Sequence, residues 1–146
     1  MITPIRSLKA LADENRLRLL MLLRERELFV CQIMAIAGLS QPLVSRNLAL
    51  LERAGLLDSR REGKQVFYCL KKSLPPPVAG LVEAAAAAAA ASGEGVFARD
   101  RENLVLFCRR FQRGGACDMG TVKAFVAFKN KTQGVTHGKT GQESVH

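Results

Sequence analysis

The stretch LSQPLVSRNLALLERAGLLDSRREGKQVFY, residues 39–68, decides how this chain is read. Ser40 is a residue type that opens helices, because its hydroxyl accepts from a backbone N–H left unpaired in the first turn. Pro42 then falls in that first turn, where a missing N–H costs little. Leu43, Val44, Leu48, Leu51 and Leu56 recur mostly at three- and four-residue steps, which predicts a helix over about 41–54 with one buried face. Gln41, Ser45, Arg46, Asn47 and Arg53 are expected on its outer face, and Gly55 is a suitable stop. A preceding helix is expected over Val30–Ala37, ending at Gly38, with Gly38-Leu39-Ser40 as the connection. Two short helices joined by a Gly-containing turn make a helix-turn-helix. In that arrangement the N-terminal residues of the second helix reach base edges in the major groove. The stretch from Ser40 through Gln41, Leu43, Ser45 and Arg46 to Asn47 is therefore the expected DNA-reading segment. Arginine forks onto guanine, and Asn or Gln onto adenine. Taken alone, the helix fits the solvated face of a bundle equally well.

The next segment breaks that tie. Leu57–Arg61 and Gln65–Leu70 read as strands, the second rich in β-formers, with Glu62-Gly63 as the turn. Arg60, Arg61 and Lys64 cluster at or near the tip, where basic side chains pair with phosphates without reading sequence. A merely solvated hairpin leaves unexplained why it follows directly on a recognition helix.

With LADENRLRLL, LSQPLVSRNL and AGLLDSRREGKQVFY in this order, residues 8–70 resemble the ArsR/SmtB family of arsenic- and metal-responsive repressors. The resemblance implies a mainly α homodimer, a winged helix-turn-helix with a small β-hairpin wing and a helical C-terminal extension. It implies a protein that covers promoter DNA and releases it when an inducer binds. Asn47 stands where the family usually has His, which implies an altered base preference rather than lost binding.

Composition agrees with duplex DNA as partner. The formal charge is +9. Residues 1–73 hold 13 basic and 7 acidic side chains and residues 74–146 hold 9 and 6, so the excess favours the helix-turn-helix half. The absence of Trp and a single Tyr argue against a single-strand binder, which needs stacking platforms. The N-terminus lacks the apolar core of a secretory signal, and no stretch is apolar enough to span a membrane. A cytoplasmic protein with four reduced cysteines is expected. No phosphate-cradling loop follows a strand and no His stands near a nucleophile in sequence, so an enzyme is not expected.

Organisation follows from periodicity and punctuation. A first helix is expected over residues 5–12, with Ile5, Leu8, Leu11 and Ala12 apolar, and a second over 14–26 capped by Asp13. Residues 1–73 form the DNA-binding domain in this reading. Pro75-Pro76-Pro77 breaks the chain after the wing. Residues 74–118 form C-terminal helices, one over Val78–Ala91 and one over Arg99–Phe111 closed by Gly114-Gly115. The alanine run suits close helix packing, and the resemblance implies dimerisation through the first and C-terminal helices. Val122–Phe128 fits a short strand or helix, and residues 119–146 are otherwise read as a flexible tail.

The inducer site is the departure from the family pattern. The resemblance implies an arsenic site on the helix before the recognition helix, in a Glu-Leu-Cys-Val-Cys run with a third Cys close behind. Here the run is Glu27-Leu28-Phe29-Val30-Cys31 with Met34 in the third place, so only Cys31 remains. A lone Cys on an apolar face reads first as a small core hydrophobe, as does Cys69 in the wing. The family's His and Asp site on the helix after the wing is missing, because residues 78–91 contain neither, and His137 and His146 lie in the tail. Some family members carry arsenic cysteines near the C-terminus. Cys108 and Cys117, with Arg109, Arg110 and Arg113 around them favouring thiolate, read either as such a relocated site with Cys31 as third ligand, or as incidental cysteines. No cofactor is required by this reading. As(III) or an organoarsenical is the expected inducer, with S-adenosylhomocysteine-type metabolites or thiol oxidation as the alternative signal.

Overall fold

The computed structural model describes residues 3–92, 95–110 and 122–131. Helix α1 (Pro4–Leu11) starts at Thr3, whose hydroxyl accepts from the Arg6 N–H. Helix α2 (Glu14–Glu25) starts at Asp13 as expected, its carboxylate accepting from the Arg16 N–H at 3.0 Å. Strand β1 (Leu28–Phe29) leads into α3 (Val30–Ala37), and Gly38, at φ 69°, turns the chain toward α4 (Gln41–Arg53). Strands β2 (Leu57–Glu62) and β3 (Gln65–Leu70) form the hairpin. Helices α5 (Pro76–Ala91) and α6 (Gly95–Arg110) follow, and residues 122–131 form a further helix. The architecture is a winged helix-turn-helix with a helical C-terminal extension.

The sheet has three strands rather than two, in the order β1-β3-β2, all antiparallel. Leu28 pairs with Tyr68 and Phe29 with Phe67, so the segment before α3 closes one edge of the wing. The core runs from Leu19, Leu20 and Leu23 of α2 through Leu28, Phe29, Ile33 and Ile36 to Val44, Leu48 and Leu51 of α4, all essentially inaccessible to solvent. The leucine periodicity in the sequence therefore marks the face that it buries. At its end α4 bonds the Leu56 N–H to the Leu51 carbonyl and the Gly55 N–H to Glu52, a paired closure that hands the chain to β2.

Several expectations need correction. Ile5 and Leu8 of α1 are 65% and 51% exposed and Ala12 is exposed, while Ser7 is buried. Ile5 and Leu8 thus face outward, while Ala10 and Leu11 pack into this chain's core. The prolines do not precede α5: Pro75 caps it and Pro76 and Pro77 occupy its first turn, where proline is pre-shaped for the helix. Helix α6 begins at Gly95, four residues before the expected Arg99; Phe111, Gly114 and Gly115 lie outside the described residues.

Of the strand or helix read for Val122–Phe128, the structure has a helix, and it runs over 122–131, three residues further into the stretch read as tail. Val122 and Phe125 of that helix are buried, and the Phe125 ring meets Phe107 of α6 edge-on at 5.1 Å. The aromatic pair supplies the burial that offsets the polar composition around it. Residues 132–146 lie outside the described residues.

The extension grips the body at the end of α3. Arg18 of α2 forms a buried, two-pronged ion pair with Asp100 of α6, at 2.8 and 2.9 Å, and donates to the Ala37 carbonyl at 2.7 Å. Its hydrogen bonds to Asp100, helped by that charge and opposed by burial, raise the guanidinium pKa. Removing one partner of such a pair costs about 3–5 kcal/mol, because the other charge is left buried alone.

Candidate nucleic-acid interface

The N-terminal half of α4 is presented to solvent. Gln41, Ser45 and Arg46 are exposed, and Leu43 is half-buried. Ser40 occupies the cap position as expected, yet its hydroxyl makes no capping bond. Pro42 at the second helical position removes one of the two N–H groups such a hydroxyl serves, so the exposed Ser40 hydroxyl stays available. Arg46 enters no ion pair among the described residues.

Asn47 differs from expectation. It is buried, not on the outer face, and its amide donates to the Leu43 carbonyl at 2.9 Å. The reason is geometric: residue 47 lies three positions after Val44 and four before Leu51, within the apolar stripe. The bond one turn back satisfies the amide there. Asn47 therefore shapes the packing of α4 rather than standing at its surface.

The wing tip is sharper than expected. Glu62 pairs with Gln65, so Gly63-Lys64 is the two-residue turn and Glu62 belongs to β2. Gly63 has φ 61° while no non-glycine residue among those described is positive, the sign pattern of a type II′ hairpin turn. Arg61 and Lys64 are exposed and form no ion pair among the described residues; Arg61 only touches the Gly63 carbonyl through Nε at 3.4 Å.

Arg60 is held differently. Its Nε reaches both Glu27 carboxylate oxygens at 3.0 Å, Nη1 bonds Glu62, and its guanidinium carbon lies 4.5 Å from the centre of the Phe67 ring. The hydrogen bonds it donates to Glu27, then to Glu62, raise its pKa. Two carboxylates already balance this charge, so Arg60 ties the wing to the segment before α3. Sequence spacing gave no sign of this, because Glu27 lies 33 residues away.

The three cysteines among the described residues lie on three elements. Cys31 sits in the first turn of α3 and Cys108 near the end of α6, two helices that touch, and both are half-buried against the core. Arg26 donates to the Cys108 sulfur. Cys117 lies outside the described residues. Cys69 is half-buried in β3 rather than enclosed in the core, and burial raises its pKa, with Glu27 and Asp58 adding to the effect. Among the described residues no group of three metal-ligating side chains comes together. Between α2, α5 and α6 runs a groove of about 810 Å³ walled by Met21, Leu22, Ala89, Phe97 and Leu104 and rimmed by Arg101 and Arg109. Among the described residues no single helix is long and apolar enough to cross a membrane.

Comparison with known proteins fits this arrangement. The family description "Bacterial regulatory protein, arsR family" matches residues 13–59, from the cap of α2 into β2. An arsenical resistance operon repressor of Escherichia coli is 44% identical over 85 residues, 58% of this chain and 73% of that protein. An arsenic resistance transcriptional regulator of Pseudomonas putida is 42% identical over 83 residues, 56% of this chain and 65% of that protein. The solved structure of reduced HlyU from Vibrio cholerae shares 38% identity with a TM-score of 0.48, covering 55% of this chain and 81% of that one.

Proposed function

The chain belongs to the arsR family of bacterial regulatory proteins, and from that premise we propose that it is a cytoplasmic, homodimeric repressor that binds operator DNA and is released from it by a soft, thiophilic inducer such as trivalent arsenic or a methylated arsenical. The family is one of DNA-binding transcriptional regulators, not of enzymes.

The observation that carries the DNA reading is the set of unpaired polar groups on α4 and the wing. Ser40, Gln41, Ser45 and Arg46 are exposed at the end of α4 that enters a major groove, with Leu43 half-buried beneath them. Arg61 and Lys64 stand at a tight turn suited to phosphates. In a two-fold dimer the paired α4 helices meet successive major grooves about 34 Å apart. The outward Ile5 and Leu8 of α1, beside α5 with exposed Ala84, Ala87, Ala88 and Ala91, are the surface assigned to the partner copy.

The inducer reading rests on the two arsenic-related relatives and on Cys31 and Cys108 lying on helices in contact. Cys117 is assigned as the further ligand, since a trivalent arsenical wants two or three thiolates. A second reading, a small metabolite as signal, is favoured by the groove between α2, α5 and α6, whose size falls in the usual range for small-molecule sites.

One experiment separates these. A duplex selected in vitro by the wild-type chain is titrated with As(III) and with methylarsenite. Binding is expected to weaken, and Cys108→Ser or Cys117→Ser to abolish the response. Arg46→Ala is expected to cost about 1–3 kcal/mol on that duplex if it reads a guanine. Normal arsenical release from both Cys variants would sink the C-terminal site. A wild type that ignores arsenicals yet responds to S-adenosylhomocysteine would move the assignment to the groove.

A further inference from the structure

Of the last four carbonyls of helix α3, only the first finds the regular backbone partner four residues on. The Met34 carbonyl accepts from the Gly38 N–H at 2.8 Å. The other three are each taken by a side chain from a different helix. Lys129 Nζ donates to Ala35 at 2.6 Å, Asn103 Nδ2 to Ile36 at 3.1 Å, and Arg18 Nη2 to Ala37 at 2.7 Å. Arg18 is itself locked by Asp100. Two of the three donors are cations, matched to the negative end of the helix dipole. The Gly38-Leu39-Ser40 turn that launches α4 begins directly after these carbonyls.

Asp100, Asn103 and Lys129 lie well beyond the residues 13–59 that match the family. The amide of Asn103 and the Asp100 carboxylate are buried, so these bonds are shielded from water. Burial lowers the Lys129 pKa, which marks an ammonium drawn out of solvent to reach the helix end.

We propose that Asp100, Asn103 and Lys129 are positioning residues for DNA binding. They hold the end of α3 at a set angle, and that end aims α4. The C-terminal helices are thereby part of the reading head of this chain, although none of their side chains needs to touch DNA. This rests on the DNA-binding role proposed above.

The test uses the full-length chain with Lys129→Met, Lys129→Arg, and Asn103→Leu. Amide hydrogen exchange, read without DNA, is expected to quicken at residues 38–47 in Lys129→Met and Asn103→Leu while α2 stays protected, and to stay near wild type in Lys129→Arg. Affinity for the duplex selected by the wild type is expected to fall about tenfold in Lys129→Met and Asn103→Leu, from a lost buried bond to a carbonyl. The salt dependence is expected to stay unchanged, because no phosphate contact is removed. Non-specific DNA should lose less.

Unchanged exchange at residues 38–47 in the folded variants would overturn the proposal. So would an equal loss on specific and non-specific DNA with a flatter salt dependence, which would make Lys129 a phosphate contact. If Lys129→Met does not fold, Asn103→Leu carries the same reading. A wild type that selects no DNA at all would defeat the DNA-binding role and leave the exchange result to judge the clamp.

Discussion

Arg60 and Arg61 are adjacent and identical in type, yet they stand in different electrostatic settings. Arg60 is clasped by Glu27 and Glu62 above the Phe67 ring, while Arg61 reaches only a backbone carbonyl. A cation already neutralised within its own chain releases little counterion charge when DNA arrives. Alanine at Arg61 or at Lys64 is expected to lower the slope of log affinity against log salt by about one each if each meets a phosphate. Alanine at Arg60 is expected to change that slope far less and instead to loosen the wing, visible as faster exchange in β2. Anisotropy titrations across a salt series check this; three equal slope changes would contradict it. Arg60 and Arg61 look alike in sequence because the partner that separates them is 33 residues upstream.

At the scale of elements, the α3–α4 turn depends on the backbone freedom of one glycine. Gly38 lies at φ 69°, and a Cβ added there would meet the Lys129 amine at 3.4 Å. Gly38→Ala is expected to destabilise the chain by about 1–2 kcal/mol from the left-handed backbone. Gly80, inside α5 with nothing within 4 Å of an added Cβ, is expected to respond oppositely. Gly80→Ala should stabilise by about 0.5–1 kcal/mol, since alanine is the better helix former. Urea melts of the two variants give the comparison, and like signs would refute it.

The helices were legible because their signals are local: the leucine rows of α2 and α4, Asp13 and Ser40 at the starts, Gly38 and Gly55 past the ends. Strand β1 was not legible, because two residues become a strand only by pairing with Tyr68 and Phe67 far along the chain. Asn47 misled because a polar side chain was read as outward although its position falls on the buried stripe. Val122–Phe128 stayed open between strand and helix, because its burial comes from contacts with a distant element, such as that of Phe125 with Phe107 of α6. The wing and recognition segments of the candidate interface were read from charge and turn chemistry, whereas the contacts that support them are non-local.

At the scale of the molecule, the exposed Ile5 and Leu8 of α1 are the surface proposed for a second copy. Ile5 at 65% and Leu8 at 51% exposure are the most exposed large hydrophobic side chains among the described residues, next to an alanine face on α5. Small side chains lose little rotamer freedom on burial and let helices approach closely. Leu8→Glu is expected to leave the circular dichroism spectrum unchanged, shift sedimentation to the monomer, and weaken operator binding by the loss of simultaneous engagement of two half-sites. A Leu8→Glu protein that still sediments as a dimer would place the interface elsewhere.

The Lys129 bond to Ala35 also has a meaning in time, for it closes a loop of 94 residues. Contacts so distant along the chain form only after their ordering cost has been met by nearer ones, so they come late in folding. During synthesis the segment that reads DNA is complete long before Lys129 is made. A nascent or prematurely ended chain therefore carries the recognition helix without the Lys129 tie proposed to aim it. Competence to bind an operator would arrive with the 122–131 helix, so an incomplete product would be a poor competitor for the same site.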